Sequence, residues 1–400
     1  GTVTIWSHGF GGNTTIPGVF AVDSSAQIAP ANDAALVKYL TDKGVAVMGS
    51  GFPTQGWNLD EAVKTNTELV GIFKAKFTTT TKVVAWGYSM GGGITQAFAE
   101  QHPELLSAAA VMNPVDAWSS QSKYFIDLLW LMKTWFDPSI KLTGYAAGAA
   151  GDMQMLGDLQ KYTAILTALK AGVASGAWPT TSSASAKALQ AAGIPSRSAL
   201  LMIGRLAGVS SQSTSFDGIV GPPGAAATAW PLAYAPALAT LENIAGVLGY
   251  SLLGARDMQN KMGGTSFDNQ KTDYSKQLSD EDRTVYNAGL SGNTAIAGML
   301  QTLSPLNPDA PRIKGEAAPM AKAALMYQHT GKIKVPTVMM IGQHDPVEPA
   351  GIVQRISDLY EADFAAAKKT ARKAGKDVPA RNLQVLWSVT PKTWSKFDAA

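Results

Sequence analysis

Apolar residues cluster in short runs near both ends of the chain, with amphipathic stretches between them. Val3–Ser7, Val45–Ser50, Lys82–Trp86 and Ser107–Met112 are such runs, each of strand length and rich in Val, Ile or Ala. Between them, Ala31–Lys43 has helical periodicity and stops at Gly44. Asn58 with Glu61 makes a capping pair, which opens a helix reaching Lys76. A further helix is expected over 90–101, directly after the third run. Strand and helix alternating in this way predict a parallel sheet with helices on both faces, an α/β fold.

The alternation stops near Asp116. From Trp118 to Gly331 the chain reads as helical, Ala-rich and loop-rich, without clear strands. Tyr124–Phe136 is a dense apolar helix, Phe216–Pro236 a Gly/Pro/Ala-rich loop, and Ala237–Ala255 another mostly apolar helix. Val335–Ile341 then returns as a strand, a helix follows from Gly351, and Leu383–Val389 is a last strand. The expected organisation is one core split in sequence, 1–118 and 331–400, around a helical insertion at 119–330. No internal repeat is visible.

Composition narrows the function classes. With 400 residues, 46% hydrophobic, the chain can bury a large core. A formal net charge of +3 gives no argument for nucleic acid. The basic run Lys368, Lys369, Arg372, Lys373 and Lys376 reads as the solvated face of the helix after Gly351. The absence of cysteine excludes disulfides, thiolate metal sites and a cysteine nucleophile. No window of 18 apolar residues is free of charge and glycine, so no transmembrane helix is expected. No signal peptide is visible, and the chain opens in mid-strand at Gly1-Thr2-Val3. Compartment and oligomeric state stay open.

The chemistry concentrates at Gly87-Tyr88-Ser89-Met90-Gly91. A strand, a G-x-S-x-G turn and a helix in that order expose a serine hydroxyl at a helix N-terminus, where free N–H groups and partial positive charge favour attack on a carbonyl. Gly87 and Gly91 meet the need for small residues where that turn passes neighbouring backbone. Ser7-His8-Gly9-Phe10-Gly11-Gly12 follows the first strand, so its loop shares the strands' carboxyl edge with Ser89. The backbone N–H groups of Phe10 and Met90 are the expected oxyanion donors, with His8 and Gly9 supporting the loop. Asp345, in Gly342-Gln343-His344-Asp345-Pro346-Val347-Glu348-Pro349, is expected at the same edge, two strands beyond the serine. It is the candidate orienting acid, with Glu348 the nearest alternative. His8, His102, His329 and His344 each read as structural, so no base is apparent. Asp280, Glu281 and Asp282 after Ser279 read as an acidic helix start, not a calcium loop.

Together these residues resemble the α/β-hydrolase superfamily. The long helical insertion resembles that of its lidded lipases and esterases, which include secreted bacterial ones. The resemblance implies a serine hydrolase of small-molecule or lipid-like carboxylic esters, working through an acyl-enzyme on Ser89 with no metal or organic cofactor. It also implies an order of serine, acid and histidine, the histidine following the last strand. No histidine stands between Leu383 and Ala400, and no strand precedes the one leading into the Gly-rich loop. The expectation is therefore that both ends are cut and that the catalytic histidine lies past Ala400, which leaves this chain by itself near-inactive; the alternative is a whole chain that recruits His8, His329 or His344. Tyr124, Phe125 and Trp135, with Leu128 and Met132, are candidates for an acyl-binding wall, or else form the insertion's own core. A peptidase or amidase of the same fold, anchoring an amine on an acid such as Glu61 or Asp116, is an alternative. So is a hydrolase-like binding module that has lost its base.

Overall fold

The computed structural model describes residues 1–12, 14, 16, 29–212, 215, 234–280 and 292–388. The predicted loop Phe216–Pro236 lies almost wholly outside them, as do Glu281, Asp282 and everything from Val389 onward.

Six strands form one all-parallel sheet: β1 (Thr2–Ser7), β2 (Val45–Gly49), β3 (Lys82–Ser89), β4 (Ala108–Pro114), β5 (Thr337–Gly342) and β6 (Leu383–Ser388). Their order is β2-β1-β3-β4-β5-β6. The connecting helices are α1 (Ala34–Asp42), α2 (Asp60–Lys76), α3 (Met90–Gln101) and, late in the chain, α11 (Ala350–Lys373). Parallel crossovers are right-handed, so a step to the left of β1 and a step to the right place their helices on opposite faces. α1 therefore covers one face, while α2, α3 and α11 cover the other. The reversal of direction falls between β1 and β3. In an open α/β sheet that switch point leaves a crevice beyond the carboxyl ends of the two strands. Ser7 pairs with Gly87 across it, so the loop after β1 and the turn after β3 start at the same height.

Local chemistry accounts for most element ends. Asp33 accepts the Ala35 N–H at 2.7 Å and starts α1 three residues later than the periodicity suggests. Asn58 accepts the Ala62 N–H at 3.2 Å, and Glu61 meets Thr54 and Asn58. The expected pair is thus a knot of side chains before α2.

Between β4 and β5 the described chain is helical: α4 (Trp118–Phe136), α5 (Gly148–Gly172), α6 (Ala184–Ala191), α7 (Ser196–Ala207), α8 (Tyr234–Met262), α9 (Gly292–Thr302) and α10 (Ala317–Ala324). α4 and α8 share one continuous apolar core with β1, β3 and α3. α8 is long and apolar enough to cross a membrane, but 72% of its apolar window is buried inside the protein. A buried pair ties α5 to α8, Arg256 Nε meeting Asp152 at 2.7 Å. A smaller apolar cluster, including Val111, Ile341, Val353 and Ile356, seats α11 on the β4–β5 side of the sheet.

Candidate active site

The turn from β3 into α3 has no residue between strand and helix. Ser89 ends β3 at φ 54° and ψ −128°, and Met90 is already helical. Positive φ at a non-glycine residue is strained, and it swings the serine side chain clear of both strand and helix. The glycines around it are sterically required. A Cβ on Gly91 would stand 1.9 Å from the Ser7 carbonyl oxygen, and one on Gly87 2.4 Å from the Gly91 oxygen. The Met90 N–H opens α3 and has no intrahelical acceptor, so it carries part of the helix's positive end.

The loop after β1 lies against this turn. A Cβ on Gly9 would come within 3.9 Å of the Ser89 Cβ, and Phe10 lines the cavity in front of the serine. His8 braces the loop: its Nδ1 meets the Gly9 carbonyl at 2.8 Å and its ring packs on Phe52, 4.4 Å between centroids. Burial holds the His8 pKa below the ordinary imidazole value.

Asp345 and Glu348 come from the loop after β5. Asp345 is buried, and its carboxyl group accepts three hydrogen bonds. Oδ1 accepts the Val347 and Glu348 N–H groups at 2.8 and 3.0 Å, and Oδ2 accepts the Asn113 amide at 2.8 Å. Burial nevertheless pushes its pKa up to about 7. Asn113 is held at φ 35° where the β3–β4 register shifts, and its own oxygen accepts the Gly342 N–H at 2.6 Å. Glu348, not Asp345, touches the serine: the Ser89 hydroxyl donates to Glu348 Oε1 at 3.1 Å. Burial, then the like charge of Asp345, raises the Glu348 pKa well above the usual carboxylate range.

A cavity of about 20 Å³ opens at Ser89, lined by Phe10, Trp57, Val115, Phe125, Tyr250, Gly254, Val347 and Glu348. That volume holds a water molecule and no ester. Of the expected acyl-binding residues, Phe125 reaches it. Tyr124 donates to the Pro346 carbonyl oxygen and supports the acidic loop. Trp135 lies away from the cavity and donates to Thr302 at 2.8 Å. None of the four histidines is hydrogen-bonded to Ser89. His344 meets Ser210 at 3.2 Å, His102 meets Glu104 at 3.3 Å, and His329 is buried against Tyr327.

Sequence reasoning did not single out Asn113, Trp57 or Tyr250. Asn113 left a signal: an amide at the carboxyl end of an otherwise apolar strand, on the edge that carries Ser89. Trp57 and Tyr250 left none, because nothing local in sequence brings the loop after β2 and α8 to the serine.

Strand order, parallel orientation, flanking helices and the strand–turn–helix at Ser89 define an α/β-hydrolase fold. No protein-family model matches the chain, and no curated protein does. Among solved structures it aligns with an alpha/beta hydrolase fold protein from Nakamurella multipartita, at 13% identity over 98% of this chain and 85% of that one, TM-score 0.28. It also aligns with the rice cell wall degrading esterase LipA from Xanthomonas oryzae, at 12% identity over 99% and 76%, TM-score 0.34. A third is the proline iminopeptidase of Mycobacterium smegmatis, at 11% identity over 98% and 83%, TM-score 0.30. At these identities and scores they assign this chain no substrate and no catalytic residue.

Proposed function

We propose that this protein is a serine hydrolase that cleaves carboxylic esters through an acyl-enzyme on Ser89. The observation that carries the reading is the strained serine at φ 54°, its hydroxyl facing a largely aromatic cavity at the start of α3. Strain of this kind persists only where surrounding structure enforces it, and a merely structural serine has no use for it.

In this reading the ester carbonyl oxygen points to the N–H groups of Phe10 and Met90. The Ser89 oxygen bonds to the carbonyl carbon as its proton leaves for the base. The oxyanion collapses, the alcohol takes that proton and departs, and water hydrolyses the acyl-serine. Removing one oxyanion donor costs such enzymes about 3 kcal/mol of transition-state stabilisation. In this reading Asp345 is the acid that orients an imidazole base. The insertion serves as the cap that walls the acyl pocket through Phe125 and Tyr250.

A fluorophosphonate probe tests the proposal on the full-length protein. Wild type is expected to be labelled at Ser89 and to hydrolyse p-nitrophenyl esters, and Ser89→Ala to do neither. A full-length protein whose Ser89 stays unlabelled sinks the reading.

A further inference from the structure

Among the described residues lining the cavity, none is a lysine, arginine or histidine, and Glu348 is the one carboxylic acid. It is 1% exposed, and its Oε2 has no hydrogen-bond partner. Gln121 is near enough to act on the carboxylate as a hydrogen-bonding group that partly offsets its burial, while its amide nitrogen also lies 3.4 Å from the Val347 carbonyl oxygen. Asp345 next to it differs in kind, because both of its oxygens are already satisfied within the loop and by Asn113. An ionised carboxylate with an idle oxygen in a dry, aromatic pocket is unfavourable unless something else completes it. The rest of the wall, Phe10, Trp57, Phe125 and Tyr250, is aromatic, so a cavity opened wide enough for a ligand presents one acidic point beside the nucleophile.

We propose that Glu348 is a substrate-recognition group, and that the acyl donors this site selects carry a protonated amine on the carbon next to the scissile carbonyl. The inference rests on Ser89 as nucleophile, as read above. Geometry sets the position of the amine. Glu348 Oε1 lies 3.1 Å from the Ser89 hydroxyl oxygen. A group one carbon from an acyl carbon bonded to that oxygen therefore falls within hydrogen-bond reach of the carboxylate. A substituent further along the acyl chain passes into the aromatic part of the pocket. Charge favours an ammonium over a hydroxyl. A hydroxyl leaves Glu348 protonated and gains an ordinary hydrogen bond, whereas an ammonium draws out the ionised form and gains a charge-assisted one. Arrival of the cation favours ionised Glu348, whose proton passes to solvent, so the occupied site holds a neutral ion pair. Esters and amides of α-amino acids are the substrates of this chemistry.

The test compares two boronic acids that form a bond from boron to the serine oxygen and differ only in the amine, 1-aminoethylboronic acid and ethylboronic acid. Titration calorimetry on the full-length protein is expected to show the amino compound binding about tenfold or more tightly, the worth of one charge-assisted hydrogen bond. Glu348→Gln is expected to abolish the preference, and Glu348→Asp, which keeps the charge, to retain part of it. Equal affinity of wild type for both compounds overturns the proposal without needing any variant to fold. A preference that survives in Glu348→Gln overturns it as well. Failure of wild type to bind either compound shows instead that Ser89 is not a nucleophile, and the inference falls with that reading.

Discussion

Ser89, Asp345 and Glu348 are each held in a state that an isolated residue avoids. The serine's backbone conformation costs of the order of 1–3 kcal/mol, and the glycines at 87 and 91 let the surrounding chain impose it. The two carboxyl groups are buried in one loop, and their raised pKa values make that burial measurable. Asp345 titrates near 3.8 when unfolded and at about 7 when folded, and Glu348 moves upward from 4.5. Between those limits the native state holds protons that the unfolded chain has released. The stability these groups allow is thus present in full below about pH 4 and is lost as pH rises towards 7. Glu348→Gln keeps an acceptor for the Ser89 hydroxyl and cannot ionise. Its stability relative to wild type, from urea unfolding, is expected to improve steadily from pH 4.5 to pH 7. The slope should not exceed about 1.4 kcal/mol per pH unit for the one group removed. A difference that stays flat across that range means Glu348 ionises freely in the folded protein.

At the scale of elements, β1, β3 and β5 were legible because buried parallel strands are short apolar runs with few competing explanations. Their ends shifted by no more than three residues, since hydrogen-bond geometry settles a strand's last residue and apolar pattern does not. The shared edge was legible too: a serine turn, a Gly-rich loop and an acidic loop each follow a strand, so parallel topology alone puts them on one edge. The choice between Asp345 and Glu348 was not legible. Three residues separate them, and the backbone turn that folds Asp345 back onto its own loop presents Glu348 to the serine. The insertion was read as helical but not divided correctly, because contacts distant in sequence define its helices. α5 shows this well. It opens on Gly148-Ala-Ala-Gly151, a weak helix former, yet a Cβ on Gly151 would meet the Arg256 guanidinium of α8 at 2.5 Å. Arg256 also donates to the Gly148 carbonyl at 2.9 Å and pairs with the fully buried Asp152. Arg256→Ala takes the buried cation away from that carboxylate and is expected to cost about 3–5 kcal/mol by denaturant unfolding. Arg256→Met with Asp152→Leu is expected to recover most of the loss. A single variant within 1 kcal/mol of wild type would show that the pair does not hold α5 to α8.

Taken whole, the molecule closes over its own serine. The insertion and the sheet share one apolar core, and the space left at Ser89 is about 20 Å³. No ester enters that space as it stands, so turnover in the proposed function requires α8 to withdraw from the loop after β2. Besides the shared apolar core, polar contacts join α8 to that loop among the described residues. Lys261 of α8 donates to the Gln55 and Trp57 carbonyl oxygens at 2.7 and 2.6 Å. Asp257 of α8 accepts the Trp57 N–H at 2.7 Å and pairs with Lys261 at 3.1 Å. The same loop carries Trp57 into the cavity wall, so its attachment to α8 and access to Ser89 are one equilibrium. Lys261→Met removes two charge-assisted hydrogen bonds to backbone while keeping the apolar stem of the side chain in place. A shift of 1–2 kcal/mol towards the open form raises its population roughly 5- to 30-fold. Labelling of Ser89 by a bulky aryl fluorophosphonate is therefore expected to accelerate several-fold in Lys261→Met. A methyl fluorophosphonate, which needs less room, should gain less. Equal acceleration of both probes would place the effect on the serine's reactivity, and no acceleration of either would mean that substrate reaches Ser89 by a path that leaves α8 where it is.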